Sequence, residues 1–201
     1  MEDLALVYVT CDKYEHIWKD WYDGYCKYFD IDIPSYFCGE SKPCPWDFKT
    51  IPHEPVPASQ WTTKLKTQLE QIPENNVFIW LDDLIAAKDI TFEFEYLYDC
   101  FLQLEADALR IMMRASAART YAAGRLMDRP IEKLLPKSPY LISYSPNIYK
   151  KDFLLHCLRW EESPWENELH GTARIRPWMK DIYSYQIDGW CYNSIIKGEK
   201  K

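Results

Sequence analysis

Asn76-Val77-Phe78-Ile79-Trp80-Leu81-Asp82-Asp83-Leu84 is an apolar run of strand length that ends abruptly in two carboxylates. An unbroken apolar run of this kind is expected of a strand covered on both faces. Acids that close a buried strand need an opening to face, and in open α/β sheets ligands bind in the crevice beyond the strand ends. Successive strand residues point to opposite faces, so only one of Asp82 and Asp83 can look into a given site. Taken by itself, the pair is equally well explained as the solvated start of a turn.

The surrounding chain has α/β grammar. Leu4 to Thr10 is a second apolar run, after which Tyr14, Trp18, Trp21, Tyr25 and Phe29 take up helical spacing. Ile33 to Cys38 returns as a strand, which predicts a parallel β-α-β start. Five prolines make residues 40–58 an irregular loop. Ser59 reads as the N-cap of a helix carrying Trp61, Leu65, Leu69 and Ile72 along one face. Further helices are expected near 92–105 and 152–159, and strands at 108–113 and 140–145, with 108–113 equally able to extend the helix before it. Residues 187–190 suggest a hairpin turn, and 197–201 a frayed tail. Residues 114–136 carry Arg114, Arg119, Arg125 and Arg129 without a core face; a ligand-facing or mobile segment and a solvated loop both fit. No repeat or linker divides the sequence, so one domain over 1–201 is the simplest expectation.

Composition narrows the function classes. A net charge of −7 disfavours a broad duplex-binding surface, which needs clustered Lys and Arg. There is no run of roughly 18 apolar residues to cross a membrane, and Met1-Glu2-Asp3 is acidic where a secretion signal would be basic. Seven scattered cysteines without a C-x-x-C pair read as reduced thiols, and a cytoplasmic protein is expected. Most of the nine Trp and 15 Tyr are expected in the core, and a surplus of them also suits flat, amphipathic ligands such as bases and sugar rings.

A second carboxylate cluster lies at Ser163-Pro164-Trp165-Glu166-Asn167-Glu168-Leu169-His170-Gly171. Ser at N-cap, Pro at N1 and Glu at N3 spell a capping box, with Gly171 as the stop. Glu166 is thereby accounted for, whereas Glu168 in the next turn has no structural duty and is a candidate acid–base group. An idle surface glutamate is the alternative. His170 fits a hydrogen-bonded helix-end residue better than a ligand.

Three stretches together resemble the nucleotide-sugar-dependent glycosyltransferases of the GT-A fold, and small bacterial and phage members above all. They are Val9-Thr10-Cys11-Asp12-Lys13-Tyr14 with Trp18, then Phe78 to Asp83, then Tyr140 to Tyr149 leading into Glu162 to Glu168. The resemblance implies a Rossmann-like α/β domain whose mixed, mostly parallel sheet is flanked by helices. It implies a D-x-D motif holding Mn²⁺ or Mg²⁺ against the donor diphosphate. Leu81 stands in its first slot, leaving Asp82 at the donor and Asp83 in the metal-contacting slot. Mg²⁺ commonly takes one or two carboxylates plus phosphates and water, so the reduced motif is chemically workable. By the same comparison Thr10 and Asp12 meet the base or ribose, Tyr14 stacks, and Lys64 approaches the diphosphate, an ordinary surface lysine being the alternative there.

The implied reaction moves a sugar from a nucleoside diphosphate sugar, a UDP-sugar among the candidates, to an acceptor hydroxyl, with Glu168 as general base. The acceptor is a glycan, a small molecule or, less readily, a nucleic acid base. A glycosyltransferase-like binding protein that has lost its chemistry is the first alternative. A nucleotidyltransferase is the second, although Cys11-Asp12-Lys13-Tyr14 lacks the glycine-rich phosphate loop it would want.

Overall fold

Leu4–Val9 forms β1, buried at every position, as a continuous apolar run requires of a central strand. The computed structural model describes residues 1, 3–111, 118–178, 181–196 and 199–200. After β1 come α1 (Glu15–Tyr28), β2 (Ser35–Cys38), the two-residue β3 (Lys49–Thr50) and α2 (Trp61–Leu69). The acid-tipped strand is β4 (Asn76–Leu81), followed by β5 (Leu84–Ala86), α3 (Thr91–Gln103) and β6 (Ala108–Arg110). The second half holds β7 (Thr120–Leu126), β8 (Arg129–Leu134), β9 (Asn147–Lys150), α4 (Lys151–Cys157), α5 (Pro164–Ile175), β10 (Ile182–Ser184) and β11 (Cys191–Asn193).

Nine of these strands form a single mixed sheet in the order β3-β2-β1-β4-β9-β6-β10-β8-β7. The β3–β2, β2–β1, β1–β4 and β6–β10 pairs are parallel, and β9 runs antiparallel to both β4 and β6. Side-chain alternation divides the core in two. Leu4, Leu6 and Tyr8 pack with Trp18 and Trp21 of α1 and with Phe94 and Leu97 of α3. Ala5, Val7 and Val9 pack with Leu65 and Leu69 of α2, with Phe153 and Leu154 of α4, and with Ile175 of α5. Helices therefore cover both faces of the sheet, the GT-A-like arrangement expected above. Gly24 lies inside α1, where propensity disfavours it, because a Cβ there would come within 2.9 Å of the Ala86 carbonyl oxygen on β5.

Local expectations were corrected where partners distant in sequence intervene. Residues 140–145 are not a strand. The Ile142 amide donates to Thr172 Oγ1 and the Tyr144 amide to Glu168 Oε1, so their donors are satisfied by α5 instead of a sheet neighbour. Ser59 is not an N-cap. It sits in a 3-10 turn, Ala58–Gln60, set up by extended Pro57, and α2 starts after Gln60 without a side-chain cap. The Ser163 capping box is present, but α5 continues past the buried Gly171 to Ile175. Gly189 makes a turn at φ +71°, yet no hairpin results, since β11 pairs with β5. Of the segment 114–136, Arg114 lies outside the described residues. Residues 120–134 form the β7–β8 hairpin, in which Arg125 donates to the Asp128 carbonyl and Arg129 pairs with Glu93. Met112 and Met113 also lie outside the described residues, so the strand read over 108–113 is described only as β6, and the tail at 197–201 is described only at 199–200.

Candidate active site at the strand ends

Because β1 and β4 are parallel and β9 reverses between β4 and β6, the C-terminal ends of β1, β4 and β6 share one edge of the sheet. The loop before β9 ends at the same edge, which brings Glu168 there through its bond from the Tyr144 amide at 2.8 Å. Asn147 pairs in register with Ile79 on one side and Arg110 on the other, so Arg110 lies two strand spacings, roughly 10 Å, from β4.

On the α1 side the edge is a closed hydrogen-bond chain. Trp18 Nε1 donates to Thr10 Oγ1 at 2.6 Å, and Thr10 donates to Asp82 Oδ2. Asp82 is only 6% exposed. Burial pushes its carboxyl up to about 7, the charge of Asp83 adds to this, and the Thr10 bond and Lys64 oppose it. Asp82 is thus a buried anchor at the β4 end. Asp83, half-buried, follows in the turn. Its Oδ1 has no hydrogen-bond partner, while its carboxyl group is in hydrogen-bonding contact with Asn193 of β11. Burial and the Asp82 charge also raise the Tyr14 phenol, which faces the same acids.

Lys64 is not the ordinary surface lysine of the alternative reading. It is 2% exposed, and its ammonium donates to the Thr10 carbonyl at 2.8 Å and to Glu40 Oε1 at 3.1 Å. One turn on, Gln68 Nε2 donates to the Gly39 and Ile51 carbonyls at 2.8 and 2.7 Å. These two α2 residues pin the ends of β1 and β2 together, since residues four apart share a helix face. Glu40 also accepts the Asp12 amide at 3.0 Å. The Asp12 carboxylate is held in turn by the Ser41 hydroxyl and by the amides of Ser41 and Lys42. Despite some burial these bonds keep its pKa below the usual value. Glu40 was not singled out from the sequence, yet it is an acid two residues past the end of β2, a pattern close to the one that drew attention to Asp82.

On the opposite sheet face the edge carries Glu168 and Arg110. Burial raises the Glu168 carboxyl; the Tyr144 amide, Ser143 and the Arg110 charge oppose that. The helix bearing it is clamped by Glu162, which receives Arg174 at 2.7 and 2.8 Å, the Asn167 amide at 2.6 Å and exposed His170 at 3.1 Å. Its own backbone meets Thr62 at the start of α2. Burial works against ionisation of Glu162, but Arg174 and Asn167 hold its pKa down to about 2. A depressed carboxyl stabilises the fold above its unfolded value of 4.5 and loses that contribution as pH falls toward 2. Acid titration of the melting temperature is therefore expected to show a loss worth roughly 2–3 kcal/mol in that window, absent in Glu162→Gln. An unchanged acid limb in the variant would remove the clamp from this account.

The site residues thus fall into two groups at one edge, Thr10, Asp12, Tyr14, Lys64, Asp82 and Asp83 toward β1 and β4, and Glu168 with Arg110 beyond β9. A depression of about 330 Å³ at the start of α3, lined by residues such as Asp89, Thr91 and Glu93, shares no residue with either group. Among the described residues no cluster of three His, Cys, Asp or Glu side chains forms a metal cage, and no helix is long and apolar enough to cross a membrane.

The fold and this edge define a GT-A-like α/β protein. Among solved structures, S. aureus TarS superposes with a TM-score of 0.65 at 12% identity, over 96% of this chain and 36% of that one. The complex of S. aureus TarS 1–349 with UDP-GlcNAc gives 0.64 at 12% identity over 98% of this chain and 60% of that one, so the chain spans less than two thirds of the length of these neighbours. The bifunctional IspDF of Campylobacter jejuni follows at 0.57 and 12% identity, over 94% and 51%. No family model and no curated protein matches the sequence.

Proposed function

We propose that the chain transfers a sugar from a nucleoside diphosphate sugar to an acceptor hydroxyl. The observation that carries this is a GT-A-like sheet whose strand-end edge bears, in two separate groups, a half-buried acid with an unsatisfied oxygen (Asp83) and a half-buried glutamate whose Oε1 accepts the Tyr144 amide (Glu168). Superposition on a neighbour solved with UDP-GlcNAc supports a nucleotide-sugar donor and makes UDP-sugars the first to test.

In this mechanism the turn after β1 receives the nucleoside, with Thr10 and Asp12 shaping the floor and Tyr14 offering its ring. Lys64 and Asp82 keep that floor rigid. Asp83 would hold Mn²⁺ or Mg²⁺, for which one free carboxylate oxygen suits a cation that takes its remaining ligands from phosphates and water. Such an ion, when bound, supplies charge neutralisation at the diphosphate. Glu168 takes the acceptor proton as the hydroxyl oxygen bonds to the anomeric carbon, and the bond from that carbon to the diphosphate oxygen breaks with its electron pair leaving on the diphosphate. Its raised pKa suits a base, and a base on the acceptor side implies inversion.

A binding protein without chemistry is the second reading, favoured by Leu81 in the motif and by the sequestered Asp82. The nucleotidyltransferase alternative finds weaker support in the IspDF neighbour, at the lower TM-score of 0.57.

A melting-temperature screen of uridine, guanosine and cytidine diphosphates and their sugars, with and without Mn²⁺, tests the proposal. One nucleotide family is expected to raise the melting temperature, with slow donor hydrolysis in the same samples. Binding without hydrolysis or transfer would favour the second reading, and no response to any nucleotide would remove both.

A further inference from the structure

Arg110 closes β6 with a charge where the preceding residues are core, and it is 3% exposed. Two of its guanidinium nitrogens, Nε and Nη2, are buried without a hydrogen-bond acceptor. Burial works against its charge, the Glu168 carboxylate favours it, and neither Glu168 nor Tyr149 is hydrogen-bonded to it. A desolvated guanidinium with free donors is costly, and folded proteins rarely leave one so. Its surroundings are already spent. Asn147, its register partner, gives its amide to the Ser143 carbonyl and Tyr149 and receives Ser145. Among the described residues Glu168 is the carboxylate that acts on it, and its Oε1 is held by the Tyr144 amide.

We infer that Arg110 is an anion-receiving residue of the strand-end edge, and that its free N–H groups take phosphoryl oxygens. The fork geometry of a guanidinium suits two oxygens of one phosphate. Beside Glu168, those oxygens come either from the donor diphosphate or from a phosphate on the acceptor. Lys64, turned inward to Glu40, cannot serve there. The inference rests on the transferase reading only for the identity of the donor; the anion site stands on the orphaned guanidinium.

The test is titration calorimetry and melting of the wild-type chain and Arg110→Met with inorganic phosphate, pyrophosphate and the nucleoside diphosphate that the screen selects. Arg110→Met is expected to melt at or above the wild-type temperature without ligand, since an apolar side chain replaces an unpaired buried cation. Its affinity for pyrophosphate should fall about 10–100-fold, the range for lost charge-assisted bonds. An equal fall for the nucleoside diphosphate assigns the anion to the donor. A fall confined to inorganic phosphate, measured with the nucleoside diphosphate saturating, assigns it to the acceptor. Unchanged anion affinities in Arg110→Met overturn the inference, as does a wild-type chain that binds none of these anions. Should Arg110→Met not fold, Arg110→Gln carries the same comparison. A wild-type chain that binds pyrophosphate through Arg110 but no nucleotide sugar would keep this site and end the transferase proposal.

Discussion

Glu168→Gln is expected to reduce glycosyl transfer by about 10²–10⁴-fold, the usual share of a general base, while the fold and donor affinity survive. The separation follows from the two ends of the carboxyl group. Oε1 accepts the Tyr144 amide, and a glutamine oxygen can do the same, so the loop before β9 keeps its anchor. What the amide cannot do is accept a proton from the acceptor hydroxyl. Single-turnover transfer rates, donor titration and a thermal melt measure the three quantities independently. Full activity would take Glu168 out of the mechanism, and a collapse of the melting temperature would make it a scaffold residue instead.

Lys64→Met should be among the most destabilising single changes in the chain. Removing one partner of a buried ion pair leaves the other charge uncompensated, at a cost of about 3–5 kcal/mol. Glu40 would be that orphan, since Lys64 reaches it at 3.1 Å with both side chains largely out of water. For a chain of this size the loss corresponds to a fall of roughly 10 °C in melting temperature. Adding Glu40→Leu should recover much of it, because an apolar pair often replaces a buried ionic one without loss. A single variant that melts like the wild type would show that the pair does not hold β1 against β2.

Features written within a few consecutive residues could be read from the sequence. The buried runs of β1 and β4, the helical spacing of α1 and the Ser163-to-Glu166 cap all appear where local pattern put them. Features that depend on remote partners could not. The segment 140–145 has strand-like composition, but α5 takes its amides. Lys64 is buried because Glu40, 24 positions earlier in the chain, neutralises it, and no helical pattern around Lys64 announces that. At the site the sequence marked the acids but not their states. Asp82 and Asp83 are adjacent letters, and the Thr10–Trp18 chain marks Asp82 as the bonded one, while Asp83 keeps an oxygen without a partner. Arg110 left a trace, a charge ending the Ala108-Leu109 run, whose meaning required the burial of its donors.

The two margins of the sheet bear on how the protein behaves when concentrated. Open strand edges invite strands from other molecules. Here one margin, β3, offers two residues, and the other, β7, is broken by a register shift between Ala122 and Gly124. A bulge of this kind bends and twists the outer strand away from flat pairing. Edge-to-edge fibre growth is thereby discouraged at both ends, which leaves the chain free to keep an aromatic-rich interior without the aggregation that such a composition invites.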